Sequence, residues 1–129
     1  MMRRILVDSC AIIWLSTGDR KLSKIARDAM RDAELLCFSS ISIWEIARLV
    51  KAGDLELPVS PTRLAELLVE QYEMKELPVN NSISLRASAL PEIHKDPADR
   101  FIIATALLND FTVVTGDHRF AEYGVETIQ

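Results

Sequence analysis

The feature that most constrains this chain is a short apolar run, Ile5-Leu6-Val7, that stops abruptly on an acid, Asp8. Three successive apolar residues leave no polar side, so the segment needs cover on both faces. That is the situation of a central strand in a parallel sheet flanked by helices. Open α/β sheets place their chemistry in the crevice beyond the carboxyl ends of the strands, where strand order reverses. Asp8 therefore reads in one of two ways. It is a rim carboxylate available to a metal ion or substrate, or it only caps the following turn through its side-chain oxygen. Other acids converging on the same rim would decide between them.

The rest of the chain alternates in the way such a sheet requires. Residues 10–15 form a short apolar helix broken by Ser16-Thr17-Gly18-Asp19. A helical pattern over 23–32 places Ile25, Ala26, Ala29 and Met30 on one face. Leu35-Leu36-Cys37-Phe38 is a second buried strand, followed by a serine cluster and a helix that Gly53 ends. The apolar stripe of that helix is Ile43, Ile46, Ala47 and Val50. Glu45 lies about 200° round from Ile43 at ~3.6 residues per turn and is expected to face solvent, or to close a capping box with Ser42. A proline-flanked connector, a helix over 62–74, a weak edge strand over 76–79 and a helix over 80–90 come next.

Asp96-Pro97 is a strong helix start, with Asp as the N-cap and Pro at the first helical position. The helix it opens is apolar nearly all round from Phe101 to Leu108, so it is expected to be buried. Asp99 falls in its first turn, where the helix dipole favours a negative charge, and Arg100 is a candidate partner. Phe111-Thr112-Val113-Val114 is another buried strand, ended by Thr115-Gly116-Asp117, and a last strand lies near 125–128. The order predicts one α/β domain over residues 1–129, with a mostly parallel sheet of about five strands and helices on both faces.

Asp8 and Asp117 thus follow strands, while Glu45 and Asp99 sit early in helices, and all four places can share one rim. Clustered carboxylates repel unless a cation neutralises them or protons are taken up. Oxygen-only sites suit Mg2+ or Mn2+, which also bind phosphate oxygens. No cysteine–histidine set competes for zinc, and no glycine-rich phosphate loop is present. The chemistry these residues fit is metal-assisted phosphodiester hydrolysis. The net charge of −4 excludes a protein that holds nucleic acid mainly by a positive field, but not a nuclease with a cation at its centre.

Four blocks carry a resemblance across nearly the whole chain: Ile5-Leu6-Val7-Asp8-Ser9, Ser42-Ile43-Trp44-Glu45-Ile46-Ala47, the stretch from Asp96 to Ala106, and Val113-Val114-Thr115-Gly116-Asp117. In this order they resemble the PIN-domain ribonucleases, in particular the VapC-type toxins of prokaryotic toxin–antitoxin pairs. The resemblance implies that Asp8, Glu45, Asp99 and Asp117 form an acidic Mg2+ or Mn2+ site. Asp8 and Asp99 would be direct or near-direct ligands, and Glu45 would bind through water or help position the nucleophile. Asp117 stands at the last position, which varies in the family. Ser9 and Thr115 would hydrogen-bond to these carboxylates, and Asp96 would act as a helix cap beside them. The resemblance also implies an RNA substrate, a homodimer and a cognate antitoxin. An antitoxin segment would find apolar grooves near Ile12, Trp14, Leu15 and the helix carrying Ile43–Val50.

Other features have plainer readings. Arg20, Lys24, Arg27 and Arg31 form a basic stripe, but Asp28 and Asp32 interrupt it as on an ordinary solvated face. Trp14 and Trp44 read as core or interface aromatics. His94 and His118 read as surface residues without a required role. Cys10 and Cys37 read as buried free thiols of a reducing cytosol. No stretch approaches the ~20 apolar residues of a membrane span, so a soluble, cytoplasmic protein is expected. Two other classes fit isolated features. An aspartate-nucleophile phosphatase would use Asp8, but Cys10 stands where such folds resemble Asp-x-Asp. A non-catalytic receiver-like module would need a late lysine, and none follows Lys95.

Overall fold

A computed structural model describes residues 3–129. Five parallel strands, β1 (Arg4–Val7), β2 (Leu35–Ser39), β3 (Lys75–Leu77), β4 (Thr112–Val114) and β5 (Thr127–Ile128), lie in the order β3-β2-β1-β4-β5. The expected sheet is present, with β1 at its centre. Leu6 pairs with Cys37 on one side and with Val113 on the other. Strand order reverses about β1, so the crevice between the carboxyl ends of β1 and β4 is the natural place for a site.

Both sheet faces are covered, which is why the strands are apolar on successive residues. Ile5, Val7, Phe38 and Val114 point to one face. They pack there with residues of α1 (Ser9–Thr17), α2 (Lys24–Arg31), α3 (Ser40–Lys51) and α4 (Pro61–Glu70). Leu6, Cys37 and Val113 point to the other, against α5 (Asn81–Ala89) and α6 (Pro97–Asn109). A 3-10 helix, His118–Tyr123, inserts Phe120 into this second core. The edge strands are short, three and two residues, so the last strand is shorter than the 125–128 pattern suggests. Among the described residues, no helix is long and apolar enough to cross a membrane.

Several local expectations are corrected. Ile25 is 73% exposed, whereas Ala26 and Met30 of the same pattern are buried. Trp44 is also exposed, with the Arg48 guanidinium over its ring, so it is not a core residue. Cys10 is exposed rather than buried, while Cys37 is buried as expected. The Ser42–Glu45 capping box does not form. The cap of α3 is Ser39, whose hydroxyl accepts from the Ile41 N–H, and the helix begins three residues earlier than that box requires. The basic stripe on α2 is tied up locally by Lys24–Asp28, Arg31–Asp28 and Arg31–Asp32 pairs, as a solvated face would be.

Candidate active site

The central strand delivers Asp8 to the rim and α1 holds it there. Asp8 is the N-cap of α1, its Oδ1 accepting from the Ala11 N–H at 2.8 Å. Its own N–H donates to the carbonyl of Val114 at 3.1 Å, which fixes the crossing from β1 beside the end of β4. The side chain is buried, and burial is the main reason its carboxyl is pushed up to about 6. Hydrogen bonds from Thr115 and Ala11 oppose the shift; the charges of Asp117 and Glu45 add to it. Capping and rim placement therefore coexist in Asp8.

Glu45 is buried, not exposed, because α3 packs between α1 and α6 and has more than one covered side. Ser42, Glu45 and Ile46 form its inner surface. Ser9 Oγ lies 2.9 Å from Ser42 Oγ, and Ser9 also hydrogen-bonds the Glu45 carboxylate. Burial raises the pKa of Glu45, and its contact with Asp96 contributes to that rise. Asp96 caps α6 as expected, accepting from the Ala98 N–H at 3.0 Å.

Asp99, in the first turn of α6, is pushed up to about 8. Burial comes first among the causes, followed by the charges of Asp96, Glu45, Asp8 and Asp117. Four other carboxylates are thus close enough to perturb Asp99. Arg100 does not pair with Asp99. It turns the other way and donates to four backbone carbonyls, those of Ala87, Leu90, Pro91 and His94. An ion pair had seemed natural from adjacency, but successive helical residues point about 100° apart.

Asp117 closes the group from the turn after β4. Its Oδ1 and Oδ2 accept from Arg119 Nε at 3.1 Å and Nη2 at 2.9 Å, and Oδ2 accepts from His94 Nε2 at 2.9 Å. Burial works to raise its pKa, but the Arg119 and His94 bonds outweigh it and hold it down at about 2. Thr115 Oγ1 accepts from the Asp117 N–H at 3.0 Å, so the threonine organises two of the acids.

Sequence reasoning misplaced His94, which is 2% exposed. Its Nε2 stands 2.9 Å from both Asp99 Oδ2 and Asp117 Oδ2. The available signal was its position two residues before a helix cap that itself precedes Asp99. His118 is exposed and heads the 3-10 helix. A cavity of about 510 Å3 opens at the other end of the strands, beside Arg4, Phe111 and Glu126, away from the acids.

The donors that meet at the rim are carboxylate oxygens carrying more negative charge than burial tolerates. That set fits a hard divalent cation. The ligand atoms of His94, Asp99 and Asp117 lie within 4.8 Å of one another, and Asp8 and Glu45 adjoin them electrostatically.

Comparison with known proteins agrees with this architecture. Residues 5–126 match the model of the PIN domain family. The chain is 31% identical over 123 residues to the ribonuclease VapC22 of Mycobacterium tuberculosis, covering 95% of this chain and 93% of that one. Its fold is similar to that of a toxin–antitoxin complex from Klebsiella pneumoniae, with a TM-score of 0.68 at 22% identity, covering 97% and 96% of the two chains. It is equally similar to FitAcB from Neisseria gonorrhoeae, with a TM-score of 0.68 at 19% identity and the same coverage. With its central strand ending on Asp8 and its acids gathered beyond β1 and β4, this chain belongs to the PIN-domain family.

Proposed function

We propose that the protein is an endoribonuclease that hydrolyses RNA phosphodiester bonds at a Mg2+ or Mn2+ site built by Asp8, Glu45, Asp99 and Asp117. It would be the toxin of a toxin–antitoxin pair. The observation that carries this reading is the convergence of buried acids from separate segments beyond the ends of β1 and β4, with Asp8 beside Val114, Glu45 on the inner face of α3 and Asp99 within reach of Asp117; burial pushes Asp8 and Asp99 up accordingly. Buried carboxylates that crowd each other in this way are stabilised by a shared cation. The relationship to the ribonuclease VapC22 supports the substrate class.

Asp8 and Asp99 would hold the cation directly, both being fixed on helix termini, one by a cap bond and one by the first turn of α6. When bound, such an ion lowers the pKa of a water and offsets charge on the phosphate and the leaving oxygen. Glu45, held by Ser9 and beside Asp96, would orient the attacking water and take up its proton. Thr115 would keep Asp8 aimed at the ion. Asp117 would join the ligands after release from Arg119, whose guanidinium would then be free to meet a phosphate. An antitoxin is a proposed protein partner, supported by the resemblance of the fold to a toxin–antitoxin complex; a second copy of the chain is proposed as an expectation of the family resemblance alone.

The test is RNA cleavage by the whole chain with Mg2+, with Mn2+, with chelator, and in the Asp8→Asn and Asp99→Asn variants. Chelation is expected to abolish cleavage and added Mg2+ to restore it. Each Asn variant is expected to lose about a hundredfold or more, roughly 2.7 kcal/mol of barrier. Full activity in chelator would overturn the mechanism.

A further inference from the structure

We infer that His94 is a positioning residue for the metal site: its imidazole, with the proton fixed on Nε2, holds Asp117 in place beside Asp99 without itself binding the cation. The inference rests on the metal-site reading above.

Three groups of observations carry it. The first is immobilisation, because every polar atom of His94 is engaged. Its N–H donates to Tyr123 Oη at 2.7 Å, and that hydroxyl donates on to the Pro91 carbonyl at 2.8 Å. The His94 carbonyl accepts from Arg100 Nη1 at 3.1 Å. The ring packs edge-on to Phe120, with centroids 6.1 Å apart and planes at 76°. Backbone and ring are thus held by separate neighbours, and the residue is buried.

The second is the tautomer. The Asp96 N–H donates to His94 Nδ1 at 3.2 Å. A nitrogen that accepts cannot also carry the proton, so in the neutral ring the proton sits on Nε2. A histidine nitrogen must offer a lone pair to bind a metal, and the nitrogen facing the acids has none to offer. Proximity alone would make His94, Asp99 and Asp117 a three-ligand set. The Asp96 contact argues instead for a donor beside two oxygen ligands.

The third is geometry at the carboxylates. Nε2 hydrogen-bonds Asp117 Oδ2 and stands as close to Asp99 Oδ2. The N–H is thus bonded to Asp117, in the turn after β4, while the same nitrogen lies against an oxygen of Asp99, in the first turn of α6, so one ring nitrogen sits between two segments. Partners that orient metal-binding side chains in this way are worth about 10–100-fold in metal affinity. The arrangement keeps the ligand set all-oxygen, the chemistry that favours Mg2+ and Mn2+ over softer ions.

The experiment measures Mn2+ binding by the whole protein and by His94→Leu and His94→Gln, with spin-echo EPR of the bound ion. Circular dichroism and melting check the fold of each variant. Leucine removes the donor; glutamine places an amide N–H near the position of Nε2. The expected result is about a tenfold loss of affinity in His94→Leu, recovery to within about threefold in His94→Gln, and no directly bound nitrogen in the wild-type spectrum. A nitrogen coupling that vanishes in His94→Gln would make His94 a ligand and overturn the inference. Unchanged affinity in a folded His94→Leu would also overturn it while leaving the metal site standing. Should His94→Leu fail to fold, the wild-type spectrum and the His94→Gln affinity decide the matter. A wild-type chain that binds no Mn2+ would overturn the metal site itself, and the role of His94 with it.

Discussion

Arg100 Nη1 donates to the backbone carbonyl of His94 at 3.1 Å, so the residue beside Asp99 in sequence supports the site from behind. The same guanidinium reaches three more carbonyls, at Ala87, Leu90 and Pro91, and thereby ties the end of α5 and the following loop to α6. Lysine has no planar fork with which to do this. Arg100→Lys and Arg100→Leu are expected to lower stability by about 2–4 kcal/mol, the cost of several carbonyls losing a charged donor. Urea unfolding measures the loss. Hydrogen exchange should show the loop between α5 and α6 opening first.

The raised carboxyls predict how stability depends on pH. Asp8 at about 6 and Asp99 at about 8 both lie above the ordinary aspartate value of 3.8. Protonation therefore favours the folded chain. Its contribution is complete below about pH 4 and is lost as pH rises through about 6 and then about 8. Asp117, held at about 2, acts oppositely, and its contribution disappears only as pH falls through that value. In chelator, Tm is expected to fall by several degrees between pH 5 and pH 8.5. Saturating Mg2+ should raise Tm by an amount that grows over the same interval, and Asp99→Asn should flatten the upper part of the chelator curve. A chelator curve that rises across this interval would contradict the assignment.

Gly116 is the one glycine whose missing side chain is spatially required. A Cβ there would overlap the indole of Trp14, which packs against the Thr115-Gly116-Asp117 turn. Gly116→Ala is expected to cost about 1–3 kcal/mol, as overpacking does, and to lower RNA cleavage by displacing Asp117. Trp14→Leu in the same chain should recover part of the stability, with a coupling above about 0.5 kcal/mol in a double-mutant cycle.

Arg119 holds both oxygens of Asp117, yet its side chain is half exposed. A fork of this kind at the surface is only weakly stabilising, because solvent screens it. Arg119→Ala is expected to tighten Mn2+ binding by up to about fivefold, because Asp117 no longer has to be released, and to raise the KM for RNA. Titration calorimetry and steady-state cleavage read the two effects separately.

The parts of this molecule that were legible in the sequence were those governed by local rules. Continuous apolar runs marked β1, β2 and β4, and Asp96-Pro97 marked the start of α6, because those signals depend only on neighbouring residues. Glu45 was misread by the same logic. Helical periodicity assumes one covered face, and α3 has neighbours on more than one side. Sheet topology allowed Glu45 a place on the rim with Asp8 and Asp99, and the resemblance to the family assigned it there. His94 carried no periodic or motif signal of its own, since its partners lie five and twenty-three residues away. Arg100 was assigned an acid because carbonyl acceptors leave no trace in a sequence. Ile25 was assigned to the core because its spacing fits the α2 stripe, although that short helix buries only a narrow edge.

The rim draws on positions 8, 45, 99 and 117, and the last of these enters only after β4 has been laid beside β1. A nascent or proteolysed chain that stops before residue 112 lacks both that strand and the final acid, and with them the wall that fixes Asp8. Partial chains are therefore expected to be inert toward RNA, so that cutting power arrives in a single step when the polypeptide is finished and folded.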